Sequence, residues 1–243
     1  MKTAVITLFL GAGVSAFVPS SFSINTKTTK SSLNAVNWTP KEDEFAYGLP
    51  GSLSPVPEFD PFGFATDADL NTMKKYREAE STHGRVAMLA FIGLLITEQP
   101  FEFHPLFEVG GKDIGPAIRH LDEVRATAPA FFEILVTIIG AAEFGRALSG
   151  WRGPETEEET GKLGPFLREE YYPGDVGFDP LGLKPEDAEE FFAMSTKELQ
   201  HGRVAMLAVA GIVAQELTNG KEIFVNLGLA PDKFDPSSLP IQF

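Results

Sequence analysis

The stretch His83-Gly-Arg-Val-Ala-Met-Leu-Ala90 returns unchanged as His201-Gly-Arg-Val-Ala-Met-Leu-Ala208, and a glutamate stands three residues before each histidine. The two units, Glu80-x-x-His83-x-Arg85 and Glu198-x-x-His201-x-Arg203, lie 118 residues apart. Identity over eight residues at that distance marks an internal duplication. Each unit opens a segment rich in Leu, Ala, Val, Ile and Gly, so ionisable side chains enter an apolar helix at two equivalent places. The uninterrupted apolar runs, Val86 to Thr97 and Val204 to Ala214, fall short of the roughly 20 residues needed to cross a hydrocarbon layer of about 30 Å. Lengthening either run to that span draws its Glu, His and Arg into the layer. Ionisable groups there are costly unless paired or liganded, which makes them candidates for a functional site.

Working outward, one helix is expected from about Leu70 to Glu98 and its counterpart from about Ala188 to Thr218, with spans at about 76–98 and 195–217. Small residues recur at every third position, Gly84, Ala87, Ala90 and Gly93 against Gly202, Ala205, Ala208 and Gly211. Such residues let membrane helices approach closely, and repeats this alike predict two helices crossed about a pseudo-twofold axis. A third apolar stretch at about 128–148, broken only by Glu133, Glu143 and Arg146, completes an all-α membrane protein with three transmembrane helices. Between the first two spans, Ile114, Ile118 and Leu121 recur at helical spacing. They predict a short amphipathic helix over Gly115 to Arg125, lying in the interface or forming a solvated turn. Phe59-Asp60-Pro61-Phe62-Gly63-Phe64 and Phe178-Asp179-Pro180-Leu181-Gly182-Leu183 are paired turn signals ahead of the repeated helices.

A chain of 243 residues is expected to form one compact domain, here built by duplicating a half. The absence of cysteine excludes disulfides, thiolate metal sites and cysteine catalysis. A net charge of -14 without a basic stripe argues against nucleic acid as a partner. Lys2, the apolar run Ala4 to Val14 and the small residues Val14-Ser15-Ala16 predict a signal peptide over 1–16. Beyond Phe17, Ser and Thr are frequent, Lys27 and Lys30 appear, and no acidic residue precedes Glu42, which predicts a transit segment over 17–35 and a mature domain over 36–243. A signal joined to a transit segment at Ala16-Phe17 resembles the two-part presequence of plastids acquired by secondary endosymbiosis; an ordinary secreted protein is the alternative. Basic residues gather at one end of the spans, at Lys74, Lys75, Arg77, Arg146, Arg152 and Lys197. The positive-inside tendency turns that end to the stroma, which gives a multi-pass chain with its N-terminus stromal, its C-terminus lumenal and the loop from Gln99 to Thr127 in the lumen.

On a helix, Glu80 and His83 lie roughly 60° apart, whereas Glu80 and Arg85 lie roughly 140° apart, too far round to pair comfortably. The repeat supplies a better partner for each arginine: Arg85 with Glu198, and Arg203 with Glu80. Reciprocal pairing neutralises four charges and leaves one oxygen of each glutamate for a cation.

The doubled Glu-x-x-His-Gly-Arg-Val-Ala-Met-Leu-Ala, the Phe-Asp-Pro-x-Gly turns and Glu143-x-x-Arg146 resemble the light-harvesting chlorophyll-binding superfamily over roughly Phe59 to Leu229. The resemblance implies that Glu80, His83, Glu143, Glu198, His201 and Gln215 hold chlorophyll magnesium, and that Arg85, Arg203 and Arg146 are charge partners. A chlorin already supplies four nitrogens, so one axial protein ligand suffices and no all-protein cage is needed. His201 stands where green-plant relatives typically carry Asn, and Leu135 where they offer Gln; Glu133 is the candidate substitute for the latter. The presequence and Tyr172-Pro-Gly-Asp-Val-Gly-Phe-Asp-Pro-Leu-Gly-Leu-Lys-Pro-Glu186 are similar to the fucoxanthin chlorophyll a/c branch of red-lineage algae. Gly115-Pro-Ala-Ile-x-His120-Leu and Ala214-Gln-Glu-Leu-x-Asn-Gly-Lys221 are similar to its stress-responsive, photoprotective members. The implied cofactors are chlorophyll a, chlorophyll c, fucoxanthin and xanthophyll-cycle carotenoids; the resemblance has the Phe-Asp-Pro turns hold xanthophyll end groups in the grooves of the helix cross, and they serve equally as simple helix-entry turns. The implied partners are photosystem I or II cores, other antenna subunits and thylakoid lipids. The implied role is light harvesting with non-photochemical quenching and no catalysis; an ordinary antenna is the alternative within the family.

From another class, a membrane di-iron carboxylate oxidase also uses Glu-x-x-His on two helices, with a Glu on each of two others. Glu133 and Glu143 share one helix, however, and an Arg two residues past each His repels iron. A purely structural staple of Glu and Arg leaves the repeated His unexplained. Glu98 and Glu216 each lie eighteen residues beyond the motif Glu, about 27 Å along the helix. At the lumenal helix ends they are either proton acceptors that sense lumenal acidification or exposed acids where helices meet water.

Overall fold

A computed structural model describes residues 38–101, 103, 115–152 and 166–232; the expected signal and transit segments lie outside the described residues. Helix α1 runs over Leu70–Thr97 and α2 over His120–Thr127, after a 3-10 turn at Ala117–Arg119. Helix α3 covers Phe131–Gly150, α4 covers Ala188–Asn219 and the short α5 covers Ile223–Asn226. A further 3-10 turn lies at Phe45–Gly48. Among the described residues there is no strand, only an isolated bridge between Trp151 and Leu167.

The repeated helices begin alike and end differently. Asp69 caps α1 by accepting the Thr72 N–H, and Asp187 caps α4 by accepting those of Glu189 and Glu190, which satisfies amide groups left over at a helix start. Helix α1 stops ahead of Gln99-Pro100. Helix α4 continues to Gly220, whose φ of 66° lets its N–H reach back to the Glu216 carbonyl at 2.8 Å.

Helices α1 and α4 cross at Gly84 and Gly202, which are equivalent in the repeat. A methyl group added to Gly84 would sit 3.0 Å from the Gly202 Cα, and one on Gly202 2.9 Å from the Gly84 Cα. Equivalent residues therefore meet each other, as a local two-fold through the crossing requires. Ala87 and Ala205 are buried beside it. Gly93 and Gly211 have nothing within 4 Å, so the small-residue stripe does not mark close backbone approach along its whole length.

Helix α3 stands apart. Ile134, Val136, Ile138, Ile139 and Phe144 are 51–66% exposed, and its anchors are at its ends. Its N-terminus meets α2. Near its C-terminus, Arg146 reaches α1, and Gly150 lies against the Tyr171 ring, 3.0 Å from where a Cβ would be. A buried apolar cluster lies instead at one end of the crossed pair, where Ala46, Leu49 and Met73 are enclosed by Trp38, Phe45, Tyr47, Ala65, Ala68 and Tyr172. Lys74 and Arg77 are buried there too. Lys74 Nζ donates to the Glu169 carbonyl at 2.8 Å, and Arg77 Nη1 donates to the Pro50 carbonyl. Two of the basic residues read as a stromal-side charge cluster thus serve to tie down loops.

Among the described residues no helix is long and apolar enough to cross a membrane. The cause is the one that the repeat announced: Glu78, Glu80, His83 and Arg85 interrupt α1, Glu133, Glu143 and Arg146 interrupt α3, and Glu198, Arg203 and Glu216 interrupt α4.

Candidate functional site

The arginines are shared across the crossing. Arg85 Nε donates to Glu198 Oε1 at 2.5 Å, and Arg203 Nε donates to Glu80 Oε1 at 2.6 Å. The two pairs differ in their surroundings. Arg203 Nη1 also donates to the Gly51 carbonyl at 2.7 Å, and Arg77 Nε lies 3.4 Å from Glu80 Oε2. Glu80 therefore faces two cations. Glu198 has Arg85 alone within ion-pair distance among the described residues, and its Oε2 is left without a bond.

The two histidines repeat each other closely. His83 Nδ1 lies 2.7 Å from the Ala79 carbonyl oxygen, and His201 Nδ1 lies 2.8 Å from that of Lys197. A carbonyl accepts only from N–H, so these contacts place a proton on Nδ1, and the neutral ring then carries its lone pair on Nε2. Both rings are exposed. Each ring is thus fixed through one nitrogen, with the other turned outward, the arrangement that second-shell bonding gives to a metal ligand.

In the middle helix, Arg146 Nε and Nη2 donate to Glu143 Oε2 at 3.1 and 2.6 Å. Arg146 Nη1 donates to Thr82 Oγ1 and, at 3.2 Å, to Glu78 Oε1. Glu78 is 4% exposed, and its Oε2 accepts from the Tyr171 hydroxyl at 2.9 Å and the Gly174 N–H at 2.6 Å. Burial and the neighbouring Glu78 charge push the Tyr171 phenol above its ordinary pKa, so it remains a donor. Sequence reasoning missed Glu78. The available signal was a break in the duplication: Glu78 and Thr82 of α1 correspond to Thr196 and Gln200 of α4, and only α1 meets the middle helix through these positions. Glu133 and Gln215 are exposed, on α3 and near the end of α4, and their side chains make no hydrogen bond among the described residues.

At the far end of the crossed pair the expectation of exposed acids fails. Glu98 and Glu216 are 1% and 2% exposed, and Glu222 joins them at 3%. Glu98 accepts the N–H groups of Ala117 and Ile223 at 3.2 and 2.8 Å, Glu216 that of Ile118 at 3.0 Å, and Glu222 that of Gln99 at 3.2 Å. The turn at Ala117–Arg119 and helix α5 fold over the helix ends, and their orphan amides find acceptors in these carboxylates.

Ahead of the repeated helices, Asp60 accepts the N–H groups of Phe64 and Ala65 at 3.0 and 2.7 Å; Asp179 accepts those of Leu183 and Lys184 at 3.0 and 2.9 Å. These backbone donors hold the Asp179 carboxyl below its ordinary pKa. Both turns therefore hold their shape while presenting apolar side chains outward: Phe62, Phe64, Phe178, Leu181 and Leu183 are 65–81% exposed. A cavity of about 640 Å³, walled by Phe45, Leu49, Leu53, Val56 and Phe59, opens onto Glu80 and Arg203.

Among the described residues no group of three or more His, Asp or Glu converges as a metal cage. Glu133 and Glu143 do not join the motif residues, so the clustered ligands of a di-iron centre are not assembled. The chain instead presents isolated exposed side chains, His83, His201, Glu143 and Gln215 among them, on helices that also expose apolar residues.

The sequence description of the family Chlorophyll A-B binding protein matches residues 45–217. A fucoxanthin-chlorophyll a-c binding protein of Isochrysis galbana is 50% identical over 179 residues, covering 73% of this chain and 80% of that relative. Light-harvesting complex stress-related proteins 3.2 and 1 of Chlamydomonas reinhardtii are 46% and 42% identical over 195 and 226 residues, covering 79% and 91% of this chain and 72% and 86% of the relatives. With the match running through both crossed helices and the middle one, the chain belongs to the chlorophyll a-b binding family.

Proposed function

We propose that this chain binds chlorophylls a and c with fucoxanthin-type and xanthophyll-cycle carotenoids in the plastid thylakoid membrane, and that it harvests light and dissipates excess excitation. One observation carries the reading. Two exposed histidines, equivalent in the repeat, are each tied through Nδ1 to the carbonyl four residues back, with Nε2 free. Each would supply a single ligand atom, which suits a metal that arrives already held by a macrocycle. Bound chlorophyll supplies the absorption and excitation transfer; the protein fixes distance and orientation. His83, His201, Glu80, Glu198, Glu143 and Gln215 are the proposed magnesium ligands, with Glu133 as a further candidate on the middle helix. Arg85, Arg203 and Arg146 neutralise the glutamates they bond.

The uncovered faces of α3 support the same reading, because an apolar helix exposed on most of its surface is stable only where something apolar surrounds it. Lipid and pigment together meet that need, and pigment in the gap between α3 and the crossed pair shields charges that a bare helix exposes to hydrocarbon. In this reading α1, α3 and α4 cross the membrane at about 76–98, 128–148 and 195–217, with the N-terminus stromal and the C-terminus lumenal. Lys75, Arg152 and Lys197 carry the stromal charge bias that remains once Lys74 and Arg77 are assigned to loops. Residues 1–16 and 17–35 deliver the chain to the plastid. Photosystem I or II cores, other antenna subunits and thylakoid lipids are the proposed partners, and no catalytic step is assigned.

For the photoprotective part, Glu98 and Glu216 are proposed as acid-responsive groups at the lumenal end, where the buried Glu222 lies with them and Arg119 lies near Gly220. The names of the stress-related relatives support this part; an ordinary antenna role is the second reading. Pigment extraction and chromatography of the protein purified from thylakoids is the test. Chlorophylls a and c with fucoxanthin in fixed ratio to protein are expected; a folded protein free of pigment would overturn the proposal.

A further inference from the structure

The middle-helix pair of Glu143 and Arg146 is poorly constrained by itself. Glu143 has a side chain 52% exposed and is joined to Arg146 at i, i+3, and such a pair on an open helix face holds geometry weakly. Arg146 is nevertheless fixed, because its third nitrogen is anchored on a different helix. Nη1 reaches Glu78 Oε1 at 3.2 Å and Thr82 Oγ1. Glu78 cannot follow the arginine outward: its side chain is 5% exposed, and its other oxygen is held by the Tyr171 hydroxyl at 2.9 Å and the Gly174 N–H at 2.6 Å. Both oxygens of Glu78 are thus committed, so it is no ligand itself. The chain of bonds runs from the loop at 171–174 through α1 to α3. It ends with Nε and Nη2 of Arg146 on one oxygen of Glu143, while Oε1 of Glu143 bonds to nothing among the described residues.

We propose that Glu78 is a positioning residue for the middle-helix site: through Arg146 it orients Glu143 so that one carboxylate oxygen occupies the arginine and the other faces outward to hold a magnesium. This rests on the reading of Glu143 as a chlorophyll ligand. The duplication makes the assignment specific, because Thr196 takes the place of Glu78 in the second half and the device therefore serves one site.

The test is pigment stoichiometry of the full chain reconstituted with chlorophylls a and c and carotenoids, for wild type, Glu78→Gln, Tyr171→Phe, Glu143→Gln and the double variant Glu78→Gln/Glu143→Gln. Glu143→Gln is expected to lose about one chlorophyll per protein. Glu78→Gln is expected to lose the same chlorophyll, seen as the same band missing from the difference spectrum, and the double variant no more than Glu143→Gln alone. Tyr171→Phe, which keeps the carboxylate and removes one of its two fixing bonds, is expected to lower occupancy of that band by a fraction. It carries the test if Glu78→Gln fails to assemble. Full occupancy of that band in Tyr171→Phe together with a non-assembling Glu78→Gln would overturn the inference and leave Glu78 a packing element. So would full occupancy in Glu78→Gln, or a further chlorophyll lost when Glu78→Gln is added to Glu143→Gln. A full complement in Glu143→Gln would overturn the ligand reading and this inference with it.

Discussion

Replacing Arg85 with Leu leaves Glu198 with no cation within ion-pair distance among the described residues, and the size of the effect reports what surrounds the crossing. In the bare chain the two side chains are 44% and 36% exposed. If that exposure is to water, the pair is a surface salt bridge, and its loss costs about 0.2–1 kcal/mol. If pigment and lipid cover it, the variant strands a carboxylate in an apolar setting, at a cost of about 3–5 kcal/mol. For a chain of this size about 1 kcal/mol moves a thermal midpoint by about 2–4 °C, so the two cases separate as a shift of a few degrees against one of about 6–20 °C. Arg203→Leu is the internal control. Glu80 keeps Arg77 at 3.4 Å, so its charge penalty is smaller, although the Gly51 carbonyl loses a donor. The assay is the thermal loss of visible circular dichroism from pigmented protein in detergent. The larger shift for Arg85→Leu, in the upper range, is expected; a shift below about 4 °C would refute the covered setting, and a larger shift for Arg203→Leu would refute the asymmetry.

Gly202→Ala places a methyl group 2.9 Å from the Gly84 Cα, and backbone cannot rotate away as a side chain can. A destabilisation of about 1–3 kcal/mol is expected, read as a lower midpoint by the same dichroism, whereas Gly211→Ala, in open space, should be close to neutral. Burial pushes the Tyr172 phenol up to about 12, while the unfolded chain ionises near pH 10. The stabilisation from the protonated phenol is therefore complete below pH 10 and is lost between pH 10 and about 12. Pigment retention should fall across that window, and less steeply in Tyr172→Phe. Double replacement of Glu98 and Glu216 by Gln is expected to make fluorescence lifetime insensitive to lumenal pH; unchanged pH dependence in that variant removes their proposed role.

The crossing was legible because duplication turns a local motif into a statement about tertiary contact: if Arg85 cannot reach Glu80 on its own helix, the equivalent glutamate is the natural partner. The turns at Asp60 and Asp179 were legible from their Asp-Pro-x-Gly spacing, which encodes the local amide bonds directly. What stayed hidden was whatever the repeat does not contain. Glu78 has no counterpart in α4, and its partners Tyr171, Gly174 and Arg146 are distant in sequence, so no periodicity exposes them. The burial of Glu98, Glu216 and Glu222 arises from the turn at Ala117–Arg119 and helix α5 closing over the helix ends, a packing event that a carboxylate at a helix terminus does not announce. Small residues at Gly93 and Gly211 continued the stripe to positions beside open space, because composition records compatibility with close approach and not which positions meet.

The most direct test of pigment binding at the crossed helices is chlorophyll stoichiometry after reconstitution of wild type, His83→Val, His201→Val and the double variant. Each single change should remove about one chlorophyll per protein and the double change about two, with the remaining bands intact; a full complement in the double variant would contradict the assignment of these imidazoles as magnesium ligands.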